Sequence, residues 1–154
     1  MRNIKIKGSI LIIFIFIFAV IIFQTPGQAK AFDDTRGHWG EYGIRLLASQ
    51  DIISGYPDGT FQPDRHITRA EFIKLLLNAL GLKQQVSELN GVKSSFRDMQ
   101  DGHWALAYIE LANERNIVSG YEDGSFRPSA NLTRAEAAVI MMRVLEYAAS
   151  GKTN

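Results

Sequence analysis

The 154-residue chain contains no cysteine. That removes a disulfide framework, a thiolate metal site, a cysteine nucleophile and a lipid-attachment cysteine together, so stability has to come from packing. Signatures of catalysis are missing as well: there is no Gly-x-Ser-x-Gly, no His-Glu-x-x-His and no phosphate-binding loop. A positive patch is also lacking. Beyond the first 31 residues, 13 basic residues face 16 acidic ones, a net charge of about −3. Long-range attraction to a nucleic acid is therefore excluded, and an anionic partner would have to be captured locally by a few placed arginines.

What the chain does have begins with an address. Arg2, Lys5 and Lys7 precede an almost unbroken apolar run from Gly8 to Phe23, and Ala29-Lys30-Ala31 follows. A charged start, a hydrophobic stretch and a small-x-small site form the layout of a secretory signal peptide over residues 1–31, with Phe32 as the first mature residue. The alternative is an uncleaved anchor, because the run approaches the roughly 20 residues needed to span a bilayer. The membrane enters this reading only through that segment.

The remainder says one thing twice. Ser54-Gly55-Tyr56-Pro57-Asp58-Gly59-Thr60-Phe61 is answered by Ser119-Gly120-Tyr121-Glu122-Asp123-Gly124-Ser125-Phe126, and Thr68-Arg69-Ala70-Glu71 by Thr133-Arg134-Ala135-Glu136. Setting Trp39–Leu80 against Trp104–Leu145 leaves roughly 16 of about 42 positions identical without a gap. We read a first repeat over 32–82, a linker with a partial helix over 83–95, a second repeat over 96–147 and a frayed tail over 148–154. Repeated carboxylates supply no asymmetric acid and base pair, so the duplication argues for repeated binding surfaces and against one catalytic centre.

Each repeat patterns as helix, irregular loop, helix. Trp104, Ala107, Tyr108, Leu111 and Ala112 follow a helical stripe, repeated as Trp39, Tyr42, Gly43, Leu46 and Leu47, and both are expected to be buried. Ile52-Ile53 and Ile117-Val118 suggest short extended pieces, and Tyr56-Pro57-Asp58-Gly59 suits a type I turn. Thr68 with Glu71 and Thr133 with Glu136 have capping-box spacing. The helices they start are expected to bury Ala70, Ile73, Leu76, Leu77 and Leu80, and Ala135, Ala138, Met141, Met142 and Leu145. His38 and His103 recur without further ligands, so no metal site and no cofactor is expected.

The order Phe-x-Asp, His-Trp, helix, Ile-x-Ser-Gly-Tyr-x-Asp-Gly-x-Phe-x-Pro and Thr-Arg-Ala-Glu, present in both repeats with Val118 in the place of a second isoleucine, closely resembles the S-layer homology domain of bacterial surface proteins. The resemblance implies a mainly α fold of helix-loop-helix units packed as a bundle, and non-covalent attachment at the cell surface or cell wall through a secondary polysaccharide, typically pyruvylated. It implies ligand contacts from Arg69 and Arg134, whose planar forks suit a carboxylate. By the same resemblance Trp39 and Trp104 would stack on sugar and Asp34 and Asp98 would accept its hydroxyls, while the turns at Gly59 and Gly124 are expected to shape the groove wall and to offer backbone contact to the ligand. Family members commonly carry three copies in a pseudo-threefold bundle. Two copies leave a partial arrangement, from which self-association or a repeat lent by another such protein is expected. The competing readings are a surface adaptor acting between proteins and a binder of modified peptidoglycan.

Overall fold

The computed structural model describes residues 31–151, so the leader lies outside it except for Ala31. Among the described residues there are five α-helices: α1 Glu41–Ser49, α2 Arg69–Ala79, α3 Lys83–Glu88, α4 Leu106–Glu114 and α5 Arg134–Ala149. A 3-10 turn, Asp33–Thr35, precedes them. No strand forms among these residues. The Ile52-Ile53 and Ile117-Val118 pieces stay irregular, and the one bridge pairs Thr68 with Asn131 across the repeats. The fold is mainly α.

Both long second helices start at a capping box. Thr68 Oγ1 accepts from the Glu71 amide at 3.2 Å while Glu71 Oε2 accepts from the Thr68 amide at 2.8 Å. The Thr133 and Glu136 pair repeats this at 3.2 and 2.9 Å. Two first-turn amides are thereby satisfied at each helix start. The segment read as a linker contains α3, whose Val86 is buried in the main core.

That core does not respect the repeat boundary. It joins Ile73 and Leu77 of α2 to Leu82, Val86, Ile109, Leu111, Ile117, Phe126 and Ile140, so the second helix of repeat 1 is packed into repeat 2. Helix α2 lies against α4. Phe32, Ile44 and Ala48 form a separate, smaller cluster under α1.

Two of the expected stripes are overturned. On α1, Ile44 and Ala48 turn inward on Phe32, while Tyr42, Leu46 and Trp39 just before the helix are exposed. On α5, Ile140 and Tyr147 are buried, and Ala135, Ala138, Met141, Met142 and Leu145 face solvent. The physical reason is the same for both. An apolar stripe is buried only where another element covers it, and residues 31–151 cover α2 and α4 but leave the equivalent faces of α1 and α5 open. The corresponding stripes on α2 and α4 are buried or partly buried, except Trp104, which stays exposed.

Glycine at the centre of Ser-Gly-Tyr is required by close approach. A Cβ on Gly120 would stand 2.5 Å from the Phe96 ring, and one on Gly55 would stand 2.3 Å from the Phe32 ring and 2.6 Å from the Thr60 carbonyl. Each repeat thus seats its first phenylalanine against this turn.

Candidate functional site

The joint between repeats is built around Arg69. Its Nε donates to the Phe126 carbonyl at 3.0 Å and its Nη1 to Glu136 Oε1 at 3.1 Å. The guanidinium lies 4.8 Å from the centroids of both the Tyr121 and Phe126 rings. Backbone bonds flank it, from the Arg69 amide to the Ala130 carbonyl at 2.9 Å and from the Ala70 amide to the Pro128 carbonyl at 3.0 Å. A buried guanidinium needs such a set of partners. Arg69 is only 5% exposed.

Glu136 closes this arrangement from the other side. The Tyr121 hydroxyl donates to it, the Thr133 amide and hydroxyl do likewise, and Arg69 adds its charge, which together lower the Glu136 carboxyl to about 2. The same hydrogen bond raises the Tyr121 phenol.

Repeat 1 carries the same three residues without the inserted arginine. Tyr56 donates to Glu71 at 2.7 Å, and its own Arg65 stands over the Tyr56 ring at 4.9 Å, 3.8 Å from Glu71. Partial burial pushes the Glu71 carboxyl up, but the Thr68 amide, the Tyr56 and Thr68 hydroxyls and the Arg65 charge outweigh it and leave Glu71 below its ordinary range.

A groove of about 740 Å³ opens here, with Tyr56, Phe61, Arg65, His66, Lys74 and Trp104 on its walls. Repeat 2 contributes Trp104, whose exposed ring has the Lys74 ammonium 5.6 Å from its centroid. The Glu71 carboxylate also lines the hollow and offsets Arg65, which leaves Lys74, the His66 imidazole and the Trp104 face as the groups best placed to hold an anionic, ring-shaped ligand by charge-assisted bonds and stacking.

The residues singled out from the sequence are distributed unevenly about it. Trp104 lines the groove. Trp39, two residues before α1, projects into solvent. Asp34 accepts the Phe61 and Gln62 amides at 3.0 and 2.7 Å, and Asp98 accepts those of Phe126 and Arg127, both at 2.7 Å. These carboxylates pin the loops that hold Gln62 and Arg127 at φ of 57° and 58°. For Asp98, burial works upward and the two amides work downward more strongly, so the carboxyl is lowered. Gly59 and Gly124 sit at positive φ in their turns with open space where a side chain would be. Arg134 is exposed and makes no side-chain bond among the described residues.

Arg65, His66 and Lys74 were not picked out from the sequence. A signal existed: they fall where the copies differ, opposite Ala130, Asn131 and Val139. Motif reading favours what the copies share, whereas these side chains belong to one groove and not to the repeat. No cluster of metal-binding side chains occurs among the described residues, and no helix there is long and apolar enough to cross a membrane.

The fold is a duplicated helical unit with a groove lined by charged and aromatic side chains where the two repeats meet. Residues 31–73 and 95–138 match the S-layer homology domain, and the chain belongs to that family. It is similar to a cellulosome-anchoring protein of Acetivibrio thermocellus, 39% identical over 109 residues, which covers 71% of this chain and 24% of that one. Cell surface glycoprotein 1 of the same organism is 40% identical over 114 residues, covering 71% and 5%. A surface layer protein of Brevibacillus choshinensis is 34% identical over 104 residues, covering 68% and 9%. The chain thus spans a quarter or less of each of these relatives.

Proposed function

We propose that this chain is a non-catalytic module that holds its bearer at the bacterial cell surface by binding an acidic wall polysaccharide in the groove between its repeats. The reading is supported by the family, by relatives named for anchoring and for the surface layer, and by the chemistry of the groove. The observation that carries it is the exposed Trp104 ring beside Lys74, with Arg65 and His66 sharing the same hollow. A sugar bearing a carboxylate, such as a pyruvate ketal, would stack on the indole while its carboxylate meets Lys74 and Arg65.

In this reading Arg69 acts at one remove, because Glu136 and the Phe126 carbonyl already occupy its fork. It braces the groove wall, as Asp34 and Asp98 brace the loops. Residues 32–154, with a net charge of about −3, gain no steering toward an anionic wall, so retention rests on these local contacts and on repeated engagement along the polymer.

Co-sedimentation with wall sacculi tests the proposal. The chain should pellet with intact sacculi and fail to pellet with sacculi stripped of secondary polymer, and Lys74→Ala with Arg65→Ala should lose most of the pelleting. Pelleting that survives stripping would point to modified peptidoglycan, and pelleting in neither case to assembly between proteins.

A further inference from the structure

The joint seen inside the chain has both of its halves left over at the outer ends. Repeat 1 offers an empty acceptor: Tyr56, Phe61 and Glu71 match Tyr121, Phe126 and Glu136, which receive Arg69. Only its own Arg65, nearly half exposed, stands in for the missing guanidinium, at 3.8 Å from Glu71. Repeat 2 offers an unused donor: Arg134 and Ala135 match Arg69 and Ala70, yet both are exposed where the originals are buried.

The helix faces beside these ends agree. Helix α2 packs on α4 within the chain. The counterpart of α2 is α5, whose Met141, Met142 and Leu145 are exposed, and the counterpart of α4 is α1, where Tyr42, Leu46 and the preceding Trp39 are exposed. Large apolar side chains exposed together on one helix face suit an interface. Backbone groups fit the same scheme: the Arg69 and Ala70 amides are taken by carbonyls of the opposite repeat, whereas no backbone partner among the described residues takes those of Arg134 and Ala135.

We propose that a second copy of this chain docks head to tail, with Arg134 of one copy entering the Tyr56, Phe61 and Glu71 socket of the next and α5 of the first covering α1 of the second. The occupant is set by complementarity already realised once in this molecule, since the donor and acceptor surfaces of the internal joint are the two surfaces left open. Such an interface is heterologous and yields rows or rings. Arg65 has to swing out of the socket, which its exposure allows. The socket shares Tyr56, Phe61, Arg65 and Glu71 with the groove assigned to the polysaccharide, so docking of a second copy and polymer binding compete for it.

The cysteine-free chain permits a clean cross-linking test. Thr68 bridges Asn131 inside the chain, so the matching contact between copies pairs Thr133 with His66 of the next copy. Bridged residues stand about 4.5–5.5 Å apart at Cα, within reach of a disulfide. Full-length chains carrying either His66→Cys or Thr133→Cys, with different epitope tags, would be co-expressed and oxidised in intact cells. A Thr68→Cys, Asn131→Cys chain serves as the internal control for folding and geometry.

The expected result is a covalent mixed dimer, weak cross-linking of either variant with itself, and a fall of about ten-fold or more in mixed dimer when Arg134→Glu is added to the Thr133→Cys chain. Absence of the mixed dimer while the internal disulfide forms would overturn the assignment. So would cross-linking of each variant with itself as strongly as with the other, or a mixed dimer indifferent to Arg134→Glu.

Discussion

Arg69 and Arg134 hold the same place in two copies of one motif, yet Arg69 is locked 3.1 Å from Glu136 in the joint and Arg134 stands in solvent. The difference follows from what lies opposite. Repeat 2 presents Tyr121, Phe126 and Glu136 to Arg69, and nothing among the described residues is presented to Arg134.

Equivalent substitutions should therefore have unequal effects on stability. Removing the Arg69 side chain leaves the Phe126 carbonyl and Glu136 without their partner, and Arg69→Ala is expected to destabilise by about 3 kcal/mol. Arg134→Ala should stay within about 0.5 kcal/mol when the chain is dilute. Urea unfolding of both variants checks this, and equal losses would contradict the joint described here.

Acid should open the same joint. The folded Glu136 carboxyl is lowered from an ordinary 4.5 to about 2, and Glu71 and Asp98 are lowered too. A depressed carboxylate stabilises the fold fully above its unfolded value, and that contribution is lost as pH falls toward the folded value. Stability should drop between about pH 4.5 and pH 2, and Glu136→Gln should flatten the drop. Thermal unfolding measured across that interval gives the comparison.

The Ser-Gly-Tyr turns should not accept alanine. A methyl group at Gly120 meets the Phe96 ring and the Ser125 carbonyl within 3 Å, and overpacking of this kind costs about 1–3 kcal/mol. By contrast Gly124 has open space and a positive φ, so Gly124→Asn, which tolerates that backbone, should be nearly neutral. Denaturant midpoints of the two variants should separate clearly.

The two tryptophans should part company in function. Trp104→Ala removes the stacking face beside Lys74 and is expected to abolish most binding to wall polymer. Trp39→Ala lies outside that groove and should leave polymer binding intact while weakening the head-to-tail dimer. Sacculus pelleting and cross-linking of the same two variants read the two effects separately.

The sequence by itself determined the duplication, the helix starts and the turns, because each is written in residues a few positions apart. Thr68 and Glu71 meet within one helical turn, and Tyr56 to Gly59 closes on itself, so local chemistry suffices for both. It also determined which helix faces are apolar. Which of those faces are covered was decided by tertiary structure alone, since Met141 and Leu77 are equally suited to burial and differ only in having a partner within reach. The groove is tertiary for the same reason. Lys74 and Trp104 are 30 positions apart in sequence, and they face one hollow because α2 leaves its own repeat to pack on the next.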